Sequence, residues 1–481
     1  MAKFNQANTM KTVNKCGHVA YKMGDKEKLV SMALTTMFNE KKFYGDNSNE
    51  LVKLAEKSDM AFVAKLATYA RRVMNLRSVS HVLACVVARF GGGQLTRHAI
   101  SGVVIRPDDI TEIMSCYKAM YGKPFPNAMK RQIAVEMNKF NDMSFAKYNG
   151  KCKGIKFKDV LKITHARPTN AKTEKAFNDI INDTLPIPHN WETVLSEKGN
   201  TKEAWEELIE SNDIGYMAML RNLRNILKVQ PKNIDKVFDK IADPNEVHKS
   251  RQLPFRFYSA YKNVLNYPDT NEAVYALEKA ILSSCDNIDK IKGRTLIAID
   301  CSGSMGWELT KHSDVKCYEI ASIIGSIASK VCEKYEVVTF DTNLHHPRIN
   351  KMDGIISNAN RMAFHGGGTD ITLPFEYITT NKKQFDRVIL LSDNEINGNY
   401  TKGSWYSRTN KTCQAWADKY RKEVNPNLWV HAIDLMGYGT QQFIGDKTNI
   451  IAGWSERVLE FINYAENGVG NLITAIEEYS L

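Results

Sequence analysis

Residues 295–304 read TLIAIDCSGS, and how this stretch folds decides the architecture around it. Thr295, Leu296, Ile297, Ala298 and Ile299 form a short, near-continuous apolar run. Such a run suits a strand buried on both faces of a parallel sheet. Asp300, Ser302 and Ser304 follow in the loop where that strand ends. In open α/β sheets, ligands bind outside the carboxyl ends of the strands. One carboxylate and two hydroxyls offer only oxygen, a donor set that suits a hard divalent cation such as Mg2+. The same three residues also suit a polar turn capping the next helix, so a cation site needs further donors along the chain.

Those donors come from the same region. After residue 291 strands and helices alternate. The expected strands are TLIAI (295–299), YEVVTF (335–340), RVILLS (387–392) and LWVHAIDL (428–435), with a weaker NIIA (449–452). Helices are expected in DVKCYEIASIIGSIASKVCEK, LPFEYITTN, NKTCQAWADKYRK and SERVLEFINYAEN. This alternation implies right-handed crossovers and a doubly wound parallel sheet. Two loops then matter. In HGGGTDITLPF, Gly366 to Gly368 allow close backbone approach, and Thr369 with Asp370 opens a helix. In LLSDNEING, Asp393 closes the strand over 387–392. Asp300, Ser302, Ser304, Thr369 and Asp393 therefore converge on one rim of the sheet.

The chain before residue 291 has a different character. Residues 1–25 are polar without a clear period and are expected to form an extended lead-in. Helical spacing begins in KEKLVSMALTTMF and continues through NELVKLAEK, MAFVAKLATYARRVMN and the nearly all-apolar SVSHVLACVVARF (78–90). Gly91, Gly92 and Gly93 read as the stop of that last helix. They match neither G-x-G-x-x-G nor the P-loop pattern. Further helical segments of about 8–15 residues follow, with prolines at their joints, and they fit stacked hairpins of the HEAT kind. No identical motif recurs, so an irregular helical domain remains the other reading. Within residues 141–158, NDMSFAKYNGKCKGIKFK, lysines including Lys151 and Lys153 alternate with aromatic residues. This stretch reads either as an RNA contact loop or as a plain exposed loop.

Composition narrows the class. The 481 residues are 43% hydrophobic and 25% charged, which describes a globular protein long enough for two or more domains. No apolar run approaches ~18 residues, so no transmembrane helix is expected. The N-terminus lacks the apolar core of a secretory signal. The nine cysteines include no C-x-x-C pair, which argues against a zinc site of the usual spacing. Buried thiols in a reducing cytoplasm are the expectation. The net charge is +11, but residues 291–481 hold 20 Lys+Arg against 22 Asp+Glu. The remaining 45 Lys+Arg and 32 Asp+Glu give residues 1–290 a net of +13. A cationic excess confined to one region points to a polyanion partner, nucleic acid ahead of membrane. A lysine-rich solvated surface would give the same count.

The five rim residues have the shape of a metal-ion-dependent adhesion site, and the region from 291 resembles the von Willebrand factor A-type fold. The chain as a whole resembles the Ro ribonucleoprotein autoantigen family, in which a TROVE domain precedes a von Willebrand A-like domain. The segments that carry the resemblance are KLATYARRVMNLRSVSHVLA (65–84), DVLKITHARP (159–168), YMAMLRNLRNIL (216–227), RQLPFRFYSAYKNV (251–264) and the metal-site strands. Arg77, Ser78 and His81, and the run Leu220 to Leu223, are particularly alike. The resemblance implies an α plus α/β multidomain fold. Residues 1–290 would form a HEAT-like helical-repeat ring that binds RNA, and residues 291–481 the doubly wound domain with its cation.

It implies Ser302, Ser304 and Thr369 as direct ligands of a divalent cation, Mg2+ by expectation, with Asp300 and Asp393 as supports. It implies His165 in the binding of small noncoding Y-like RNA, with Lys151, Lys153 and Arg167 close by. Arg251 and Arg256 would line the inner or rim surface. Single-stranded 3′ ends of misfolded RNA, and a 3′ exonuclease tethered through RNA, are the further partners implied. The expected protein is a cytoplasmic monomer and RNA quality-control scaffold, without a membrane partner or catalysis of its own. Ser302 and Ser304 have no neighbouring general base, there is no G-x-S-x-G elbow, and a phosphatase would want aspartate at position 302. The other readings are a metal-dependent protein-interaction scaffold without RNA and, more weakly, a cation-dependent hydrolase.

Overall fold

The computed structural model describes the chain apart from residues 1–10, 14–18, 36–45, 150–153, 188–189, 253, 266, 268–269, 286–287, 311–312, 395–411, 437–439, 453–455 and 468–471. It divides into two units, one of residues 1–36 with 194–474, the other of residues 37–193 with 475–481. Among the described residues no helix is long and apolar enough to cross a membrane.

The first unit contains all the described strands. They are β1 (Lys11–Val13), β2 (Val19–Lys22), β3 (Ile291–Asp300), β4 (Glu308–Thr310), β5 (Ser313–Lys316), β6 (Cys332–Phe340), β7 (Leu344–His345), β8 (Arg387–Ser392), β9 (Trp429–Asp434), β10 (Thr440–Gln441) and β11 (Thr448–Ala452). Six of them form one sheet in the order β11-β9-β8-β3-β6-β7. Its pairs are parallel except at the β7 edge. The chain leaves β3 for β6 on one side, then returns to β8 on the other. The strand order thus reverses between β3 and β8, and a doubly wound sheet opens its ligand crevice at such a switch point.

Both faces of the sheet are covered. Leu296 and Ala298 of β3 join Val338, Phe340, Val388, Leu390 and Val430 in one core with Phe375, Ile378, Trp416 and Tyr420 from the helices Thr372–Thr380 and Cys413–Glu423. The alternate residues face the helix Cys317–Val331. A Cβ at its Gly325 would stand 2.4 Å from Ile299 Cδ1, so a larger residue there would have to push the Ile299 side chain aside. This helix is shorter than its hydrophobic pattern suggests. Residues 314–316 belong to β5 and residues 332–334 to β6. Glu319 defines the start, its carboxylate accepting the Lys316 N–H at 2.7 Å.

The described part of the polar lead-in belongs to this unit. β1 and β2 form a sheet with β10, with Tyr21 opposite Gln441. Met23 enters the sheet core. In the helix Asp25–Thr35, the Ser31 hydroxyl donates to Asp434 Oδ2 at 2.7 Å. Helices Tyr216–Val229, Ile234–Ala242, Pro254–Val264 and Asn271–Ser283 pack as hairpins ahead of β3. The Glu278 carboxylate accepts the N–H groups of Ile356 (3.2 Å) and Ser357 (3.1 Å) at the start of helix Ile355–Arg361. A carboxylate there satisfies donors that the helix cannot.

The second unit is helical. Its helices include Met60–Arg72, Ser78–Phe90, Gly92–Val103, Pro107–Tyr121 and Phe157–Thr164. The glycine triplet does end the helix at Phe90, but a new helix starts at Gly92 with only Gly91 between them, which a stop signal alone does not foretell. Gly92 makes the corner with φ +76°, a conformation open to glycine at little cost. At the centre lies Asp109, fully buried. It is paired with Arg77 (2.6 Å), Arg71 (3.0 Å) and His81 (3.2 Å).

Candidate functional site

The switch point gathers the predicted oxygen donors. Asp300 ends β3 and is buried, with Ser302 N–H donating to its Oδ1 at 2.9 Å. Across the crevice the Ser392 hydroxyl, last residue of β8, donates to Asp300 Oδ2 at 2.6 Å. Among the described residues no lysine or arginine pairs with Asp300. Burial pushes its carboxyl up to about 6, and the nearby Asp341 carboxylate adds to this against the hydrogen bonds from Ser302 and Ser392. The Ser302 and Ser304 hydroxyls lie 3.2 Å apart on the single turn Gly303–Gly306.

The glycine loop docks directly on this turn. Gly303 N–H donates to Gly367 O at 2.8 Å, and Gly366 N–H to Cys301 O at 3.0 Å. Gly366 has φ +80°, and a Cβ on Gly303 would sit 3.1 Å from Gly366 O. Thr369 follows the loop and is buried, as is Asp393 just past β8. The Cys317 thiol reports how the acids cluster. Burial, then Asp393, Asp300 and Asp434, raise it well above its ordinary value. The structure therefore brings Asp300, Ser302, Ser304, Thr369 and Asp393 to one rim.

This donor set fits a divalent cation. It is all oxygen, its acids are buried, and the two serine oxygens have the spacing of adjacent ligands. An octahedron with bonds of 2.0–2.1 Å has edges of roughly 3 Å. Sequence reasoning missed Ser392, which holds Asp300, and Asp341, which lies beside it. The sequence marks Asp370 only as a helix opener, yet its Oδ1 takes both the N–H (2.9 Å) and the hydroxyl (2.5 Å) of Thr372.

The predicted RNA contacts lie in both units. In the second, His165 ends helix Phe157–Thr164 in the left-handed conformation at φ +51°, its N–H donating to Leu161 O at 2.9 Å. Its ring is exposed, as are Lys156, Lys162 and Arg167. The Arg167 carbonyl is held by Asn138 Nδ2 at 2.9 Å, which fixes the segment after the histidine. Lys151 and Lys153 lie outside the described residues. In the first unit, Arg251 is exposed and caps helix Pro244–Ser250 in the left-handed conformation. Arg256 sits on the surface of helix Pro254–Val264 with its guanidinium partly covered. That cover and the like charge of Arg221 lower its pKa. Arg221 and Arg224 are exposed on helix Tyr216–Val229.

A doubly wound sheet with this rim, preceded by packed helical hairpins, defines a von Willebrand A-like domain on a helical-repeat chain. Comparison with known families agrees. Residues 182–302 match the TROVE domain, and residues 294–425 match the Ro60 vWA domain. The chain belongs to the Ro family. It is 26% identical to the RNA-binding protein RO60 of Caenorhabditis elegans over 211 residues, 41% of this chain and 32% of that one. Over 82 residues it is 39% identical to telomerase protein component 1 of Mus musculus, 17% of this chain and 3% of that one. The chain thus spans only a small part of the telomerase components and about a third of the worm protein. The crystal structure of the Deinococcus radiodurans Ro (RSR) protein has the same fold, with a TM-score of 0.62 at 14% identity. It covers 92% of this chain and 100% of that one.

Proposed function

We propose that this chain is the RNA-binding scaffold of a Ro-type ribonucleoprotein that acts in RNA quality control. It would bind a small Y-like noncoding RNA through the exposed cations around His165, and single-stranded 3′ ends of misfolded RNA as a second class of ligand. The observation that carries the reading is the TROVE match joined to the vWA match on one chain whose basic surplus lies in residues 1–290. A net of +13 there is the electrostatic footprint that phosphate binding requires. The protein works as a cytoplasmic monomer, carries no catalytic chemistry of its own, and delivers RNA to a 3′ exonuclease. All seven described cysteines are free thiols, which supports a reducing compartment.

Mg2+ is the cation assigned to the rim, with Ser302, Ser304 and Thr369 as direct ligands and Asp300 and Asp393 as supports. With few anions touching it, such an ion keeps the capacity to take an oxygen ligand from a partner. Asp300 orients the Ser302 backbone, Ser392 orients Asp300, and the glycine loop delivers Thr369. Trp307, 69% exposed three residues past Ser304, favours the second reading, a metal-dependent protein-interaction scaffold without RNA.

Gel-shift titration of structured RNA against salt separates the two. The scaffold reading expects affinity to fall steeply with salt, because each phosphate contact releases counterions. Absent or salt-insensitive binding supports the interaction module. His165→Ser should weaken binding of structured RNA without altering the fold by circular dichroism, and unchanged affinity would remove His165 from the interface.

A further inference from the structure

Beside the oxygen-lined rim, a second group of donors of different chemistry converges. Cys301, His345 and His365 each offer one ligand atom, and these atoms all lie within 4.8 Å of one another. They arrive from separate places. Cys301 follows the end of β3, His345 ends the edge strand β7, and His365 begins the glycine loop. Cys301 is buried, His345 half-buried and His365 exposed. The two imidazoles stack with centroids 3.8 Å apart and planes 7° from parallel, so the exposed His365 ring must turn out of the stack before both rings can hold one ion, which lies in the plane of each imidazole that binds it.

One of the three, His345, is oriented as metal ligands are oriented. Asp341 Oδ1 lies 3.2 Å from His345 Nε2, and the same oxygen accepts the Asn343 N–H at 2.8 Å. A carboxylate on one ring nitrogen fixes the tautomer and the ring plane, and leaves the other nitrogen for a cation. The loop that carries His365 is tied to Cys301 by Gly366 N–H, which donates to Cys301 O at 3.0 Å. Mg2+ prefers oxygen, while one thiolate and two imidazoles suit Zn2+, with Zn–S near 2.3 Å and Zn–N near 2.0–2.1 Å.

We propose that Cys301, His345 and His365 form a second metal site, for Zn2+, separate from the oxygen site and oriented by Asp341. The thiol, which now donates to Phe340 O at 3.2 Å, loses its proton to solvent as the sulfur binds the ion. The fourth position is open to water. Occupancy pins His365 to the end of β3, and with it Gly366 to Gly368. The soft site therefore stiffens the loop that brings Thr369 to the hard site.

Full-length protein stripped by a chelator and kept in excess Mg2+ is titrated with Co2+. The expected result is one Co2+ per chain, with d–d bands of tetrahedral intensity and a thiolate-to-cobalt charge-transfer band that Zn2+ abolishes. Cys301→Ser removes the charge-transfer band. His345→Ala and His365→Ala each weaken Co2+ binding by about 10-fold or more, the low end of what even outer partners of a metal cost. No charge-transfer band in the wild type overturns the proposal, as does a band that survives Cys301→Ser or an unchanged affinity in both histidine variants. Should Cys301→Ser fail to fold by circular dichroism, the two histidine variants decide. None of these readouts depends on RNA.

Discussion

Asp300 is the residue on which the rim turns, and what holds it was invisible in its own segment. Its Oδ2 is gripped by Ser392, 92 positions away, at 2.6 Å. Ser392 sits last in an apolar strand and looks like any polar residue closing a run. Its meaning comes from β8 lying beside β3. Partners that orient metal-binding groups commonly carry a 10- to 100-fold share of metal affinity. Ser392→Ala is therefore expected to weaken Mg2+ binding by about 10–100-fold in isothermal titration, with the fold intact. An unchanged affinity would show that Asp300 needs no clamp. The five predicted donors were legible because each falls at a strand end or in the loop entering a helix, positions that hydrophobic patterning marks. Asp341 was not, because β6 ends one residue before it and nothing local says which way it faces.

At the scale of elements, helix Pro107–Tyr121 supplies Asp109 to partners from two other helices or their caps, Arg71 and His81 from within helices and Arg77 at a cap. Arg77 and His81 stand out in the sequence resemblance, and the structure gives them a structural task. Burial alone would raise the Asp109 carboxyl, but His81, Arg77 and Arg71 hold it far below the ordinary carboxylate range. Removing one member of a buried ion cluster strands the others, so Asp109→Asn should cost about 3–5 kcal/mol in urea unfolding near neutral pH. The folded-state pKa is depressed, so this stabilisation is present above the unfolded carboxyl value of about 3.9 and lost as pH falls below it. The gap between wild type and Asp109→Asn should therefore narrow in acid. A gap independent of pH would mean that packing, not charge, sets the cost. The helix Gly92–Val103 shows a limit of local reading. A glycine triplet signals a break in direction, and it does not say whether a helix resumes.

For the whole molecule, the charge split is a property of composition and the use of that charge is a property of placement. Arg221 and Arg256 lie on helices that pack together, near enough to depress the Arg256 pKa. Like charges brought together on a surface favour an anion. If both touch RNA phosphates, Arg221→Gln with Arg256→Gln should lower the log–log salt slope of single-stranded RNA binding by about 0.7 per lost contact. Binding should weaken about evenly across RNA sequences. An identical slope would place both arginines off the RNA path. Polarity without a period marks residues 1–25 as an extended lead-in and names no partner for it. In the fold its Tyr21 pairs with Gln441, and Ser31 of the helix that follows it reaches Asp434, 403 positions away.

Legible in the residues alone are the doubly wound sheet, the helical character of the chain before it, and the oxygen donors at the sheet's rim. Strand–helix alternation and strand-end position are local patterns, set by burial on one or both faces of an element. That β1 and β2 join β10, that Asp109 gathers Arg71, Arg77 and His81, and that Cys301, His345 and His365 meet is settled by tertiary packing alone. Each of these depends on which distant elements become neighbours, and hydrophobic periodicity records that a face is buried without recording against what.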